Sequence, residues 1–81
     1  MDDKTGVFDV NLVKKQLISE TLKEIYDALE ERGYNPLNQL VGYLISGDPG
    51  YISNFKGSRN KILNYDRAEV MAIILDEYLN K

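Results

Sequence analysis

The chain has 81 residues, 43% hydrophobic and 28% charged, which is one small domain with an ordinary globular balance and no room for a second core. Cysteine and histidine are both absent, which excludes disulfides, thiolate chemistry, the usual zinc sites and the side chain that titrates near neutral pH. Ten basic residues against 13 acidic ones leave a net charge of −3, which argues against a nucleic-acid binder held by bulk charge.

No apolar run approaches the roughly 20 residues of a membrane span, and Met1-Asp2-Asp3-Lys4 lacks the features of a signal peptide, so a cytoplasmic protein without membrane insertion is expected. A core this small is marginal without staples, and with cysteine and histidine missing, oligomerisation is the remaining source of stability.

Residues 1–11 alternate without helical period and read as a flexible N-terminal arm, leaving residues 12–81 as a single helical domain. From Leu12 to Arg32, Ile18, Leu22, Ile25 and Leu29 recur at helical spacing, and Gly33 supplies a left-handed stop. Val13 and Leu17 fall on the other side of that helix and call for a second neighbour. Asn35-Pro36 reads as an N-cap with proline at the first helical position. A short helix follows, carried by Leu37, Leu40, Val41, Leu44 and Ile45 and closed by Gly47. Gly42 inside it weakens the helix, and close packing there is the expected reason.

Asp48-Pro49-Gly50 is a sharp turn, after which residues 51–64 read as a loop followed by about two turns of helix. Asp66 and Glu69 have capping-pair spacing, and Val70, Met71, Ile73, Ile74, Leu75, Tyr78 and Leu79 continue a final helix. At 100° per residue these apolar positions cover an arc of roughly 240°, wider than the stripe of about 100° that packs one neighbour. The sequence therefore predicts an all-α domain of about four helices whose final helix, through Val70, Met71, Ile74 and Tyr78 together with Val13 and Leu17, meets a second copy in a homodimer.

No nucleophile and base stand at a recognisable catalytic spacing, the glycines follow no phosphate-loop pattern, and neither a metal nor a cofactor is expected. Glu30 and Glu31 point about 100° apart on a helix and read as solvated charges. Lys56, Arg59, Lys61 and Arg67 are interleaved with Tyr51, Phe55 and Tyr65, with Asp66 as the single acid between residues 51 and 67. That segment reads as a phosphate- or partner-binding patch, and a nucleic-acid-binding regulator using it is the alternative function.

The block from Gly33-Tyr34-Asn35-Pro36-Leu37 through Gly42-Tyr43-Leu44-Ile45-Ser46-Gly47-Asp48-Pro49-Gly50-Tyr51-Ile52 closely resembles the IreB family of regulatory phosphoproteins. The resemblance continues through Arg59-Asn60 and Tyr65-Asp66-Arg67-Ala68-Glu69. It implies a small, mostly helical cytosolic homodimer of Gram-positive bacteria without enzymatic activity. It also implies phosphorylation by a membrane-anchored PASTA-domain Ser/Thr kinase, with a role in cell-wall stress and resistance to cell-wall antibiotics through a downstream protein. The family's acceptor threonine, in a Thr-x-x-Phe context, corresponds to Thr5-Gly6-Val7-Phe8, and Thr5 is the only Ser or Thr in residues 1–11. Gly50, Ser53 and Gly57-Ser58 depart from the family pattern and set the segment 51–58 apart.

Overall fold

A computed structural model describes residues 12–80, and Thr5 with the rest of the expected arm lies outside the described residues. The chain forms α1 (Leu12–Glu31), α2 (Pro36–Ser46), 3-10 turns at Pro49–Tyr51 and Phe55–Gly57, α3 (Ser58–Leu63) and α4 (Arg67–Leu79). Among the described residues there is no strand, as the helical spacing predicts.

The boundaries follow local chemistry. Gly33 ends α1 at φ +86, a region where a Cβ would strain the backbone. The Asn35 side chain accepts a 3.1 Å bond from the Asn38 N–H at the start of α2, and Pro36 takes the first turn. Asp48 repeats the device on a smaller scale, accepting from the Gly50 N–H at 2.9 Å. At α4 the capping pair is not made. Asp66 has the extended N-cap backbone but no side-chain cap bond, and Glu69 instead pairs with Lys14 on α1 at 2.7 Å. The carboxylate goes to a charged partner on another helix, which binds it more strongly than a neutral backbone N–H.

The core draws on every α-helix: Ile18, Ile25 and Leu29 of α1, Tyr43 of α2, Ile62 of α3 and Val70 and Ile73 of α4, with Ile52 from between the two 3-10 turns. Leu22, Leu40, Leu44 and Tyr65 pack around it, half-buried. The α1 stripe is therefore the one its spacing predicts. In α2 the inward residue is Tyr43, while Leu37, Val41 and Ile45 are exposed. Leu40, Tyr43 and Leu44 make the inner face, so a helix without a charged residue leaves its other apolar residues facing solvent.

Gly42 owes its place to a ring. A Cβ there would meet Tyr51 Cε1 at 2.6 Å, so glycine lets the Tyr51 ring lie against α2. Gln39 reinforces the contact by donating from Nε2 to the Tyr51 carbonyl at 3.1 Å. Within the segment 51–64, Lys56 takes a left-handed φ of +56 beside Gly57 at +74. The buried Ser58 hydroxyl donates to the Phe55 carbonyl at 2.8 Å. A polar side chain satisfied by a local carbonyl is an ordinary means of closing such a turn.

Candidate functional site

Two kinds of surface follow from this arrangement, one apolar and one cationic. The apolar surface comes from α1 and α4. Val13 and Leu17 are exposed on α1, and Met71, Ile74, Leu75, Tyr78 and Leu79 are exposed on α4. A shallow groove between the two helices is floored by Leu22 and Ile73 and rimmed by Ile74 and Tyr78. Val70 departs from the expected interface set. It is 0% exposed in the chain's own core, because it shares with Ile73 the face of α4 that meets the other helices. The wide arc of α4 is thus divided, with Val70 and Ile73 inward and Met71, Ile74 and Tyr78 outward.

The register of α1 against α4 is held by charge at the start of α1. Lys14 bonds Glu69, and Lys15 reaches both Asp76 at 2.7 Å and Glu77 at 3.0 Å. Hydrogen bonds to Asp76 and Glu77 raise the Lys15 ammonium above its ordinary value, and the Lys15 bond, followed by that from Asn80, lowers the Asp76 carboxyl.

The cationic residues each have a partner of their own. Arg67 Nη1 donates to the Leu44 carbonyl at 3.0 Å and to that of Ile45 at 3.5 Å, closing the C-terminal end of α2. Its guanidinium lies where a Cβ on Gly47 would stand, 2.8 Å from Cζ. Lys61 pairs with Glu24 at 2.7 Å, and Lys56 lies 5.2 Å from the Phe55 ring centroid. These two lysines line a groove with Glu24, Asp27 and Glu31, so carboxylates balance them. Arg59 lines a different cleft, its Nε donating to the Ile52 carbonyl at 3.0 Å. Lys56, Arg59, Lys61 and Arg67, expected to form one patch, are thus each held by a different neighbour. Nearby carbonyls and a carboxylate claim three of the four heads and an aromatic ring the other, because the second 3-10 turn, α3 and the start of α4 present them to different neighbours.

Arg59 has a companion that the segment-based reading passes over. Arg32, one residue beyond α1, lies 5.4 Å from the Phe55 centroid and lines a cleft of about 240 Å³ together with Arg59. The two stand 27 positions apart, and the sequence signal at Arg32 is only that of a basic helix end. The cleft is walled by Tyr34, Tyr51, Gln39, Ser53 and Asn54, and no acidic residue lines it.

Among the described residues no group of three or more acidic side chains is placed to hold a metal ion, and no helix is long and apolar enough to cross a membrane. A small all-helical domain with exposed apolar helix faces and a separate cationic cleft is a protein built to make contacts. The family model for the IreB regulatory phosphoprotein matches residues 3–80, so the chain belongs to the IreB family.

Proposed function

We propose that this chain is a non-enzymatic signalling protein whose arm is phosphorylated at Thr5 by a PASTA-type Ser/Thr kinase. It acts in the cytoplasm through protein contacts, in the response to cell-wall stress and in resistance to cell-wall antibiotics. The observation that carries the contact-based reading is the set of uncovered apolar residues on α1 and α4, where Val13 is 71% exposed and Tyr78 78%. Such a surface on a small domain marks an interaction site, and a second copy is the occupant that also answers the chain's need for stability. Membership of a regulatory phosphoprotein family supports the modification, and Thr5 is the only hydroxyl-bearing residue before Ser19. Phosphorylation adds about −1.5 to −2 charges beside Asp2 and Asp3, enough to change what the arm meets.

The test is incubation with the kinase domain of a PASTA-type kinase, followed by intact-mass and fragment analysis of the chain and of a Thr5→Ala variant. Phosphate confined to Thr5 and lost in the variant is expected. Phosphate at Ser53 or Ser58, or none, refutes the assignment of the switch.

A further inference from the structure

Arg32 and Arg59 come from distant parts of the sequence to line one cleft, and on a chain of net charge −3 no carboxylate joins them there. Arg59 uses Nε on the Ile52 carbonyl, which fixes the plane of the guanidinium and leaves both Nη groups without an acceptor among the described residues. Arg32 is held over the Phe55 ring, a contact that engages its charge and none of its N–H donors. Gln39 is anchored to the Tyr51 carbonyl and stiffens the opposite wall. Both arginines that line the cleft thus keep side-chain N–H donors without an acceptor among the described residues, the chemistry that binds oxyanions through charge-assisted hydrogen bonds.

We infer that the cleft holding Arg32 and Arg59 is a binding site for a phosphate monoester. The charge count selects the monoester. Two guanidinium groups match an ion carrying about −1.5 to −2 charges and three acceptor oxygens, whereas a phosphodiester or a single carboxylate brings one charge. The position of the cleft bears on the source of the phosphate. It lies beyond the C-terminal end of α1, and the 20 residues of that helix span about 30 Å. Thr5 lies seven residues before Leu12, a reach of about 23–25 Å at full extension. The chain before Leu12 and the length of α1 are thus comparable, and probes carrying the phosphate on a peptide or as the free ion distinguish the two sources. The inference stands apart from kinase recognition of Thr5, since the cleft is present in the unmodified chain.

The test is a titration of the ¹⁵N-labelled full chain, following the Nε–Hε signals of Arg32 and Arg59 and the amides of residues 50–54. The probes are inorganic phosphate, a peptide of residues 1–11 phosphorylated at Thr5, the same peptide unmodified, and a single-stranded oligonucleotide. Phosphate and phosphopeptide are expected to shift both arginine signals, and the unmodified peptide to leave them in place. Tighter binding of the phosphopeptide than of phosphate identifies a peptide-borne source, and equal binding identifies the free ion; both support the site. Arg32→Gln, at an exposed position, should weaken binding roughly tenfold or more while leaving the thermal midpoint nearly unchanged. Arg59→Lys keeps the charge but removes the fork, and should weaken it as well. No shift at millimolar phosphate, undiminished binding by Arg32→Gln, or equal binding of the oligonucleotide overturns the inference.

Discussion

Arg67 and Gly47 form a coupled pair whose energetics follow from the geometry. Truncating Arg67 to alanine removes the 3.0 Å bond to the Leu44 carbonyl and the longer contact to Ile45 at the end of α2. A hydrogen bond from a charged donor contributes about 1.5–3 kcal/mol. Two effects reduce that figure: the site is half-exposed, so water can take up the freed carbonyls, and Arg67 is the first residue of α4, where a cation opposes the helix dipole by about 0.3–1 kcal/mol. The net loss expected for Arg67→Ala is about 1 kcal/mol, or about 4–8 °C in the thermal midpoint of a domain this size. Gly47→Ala incurs about 1–2 kcal/mol for a Cβ at φ +78, and the added carbon also displaces the guanidinium it would meet at 2.8 Å. In the Arg67→Ala background that second effect has already been spent. Urea unfolding of the two single variants and the double variant should therefore give a double-mutant sum short of additivity by about 1 kcal/mol. Additivity within about 0.3 kcal/mol would mean that the guanidinium does not hold α2 to α4, and the reasoning would be refuted.

Leu17→Glu or Ile74→Glu, each at an exposed position on the α1 and α4 surface, should convert a dimer into a monomer by light scattering while helical circular dichroism persists; variants that remain dimeric place the interface elsewhere. Ile62→Ala, at a fully buried site, should destabilise by about 2–5 kcal/mol in urea, and a loss below about 1 kcal/mol contradicts its core position. The Asp76 carboxyl, lowered by Lys15, contributes stability that is present above its ordinary value of 3.8 and fades as pH falls through the folded value. Lys15, raised by Asp76 and Glu77, contributes below 10.5, and that contribution is lost as pH rises through its folded value. Thermal midpoints measured across pH should therefore fall more at both extremes for the parent than for Lys15→Met; parallel curves would remove the pair from the stability of the helix contact.

Periodicity and punctuation alone determine much of this protein. Asn35-Pro36, Gly33 and Gly47 place the ends of α1 and α2 because caps and left-handed turns depend on residues a few positions apart. The four-residue and three-residue steps through Ile18, Ile25 and Leu29 define the core face of α1 for the same reason. Tertiary structure decides which apolar residues stay outside. Val70 and Met71 look alike along the chain, yet one is sealed in the core and the other faces solvent, because the direction from which α1 approaches α4 chooses the face. Side-chain partners obey the same limit. Glu69 has the spacing of a cap and goes to Lys14, and Lys56, Arg59, Lys61 and Arg67 crowd one segment but find separate neighbours. Arg32 and Arg59 show the converse, since a cleft made by residues 27 apart has no local signature. Hydrogen bonds and charge pairs act over a few ångströms of space, and only packing of the helices sets which groups lie within that reach.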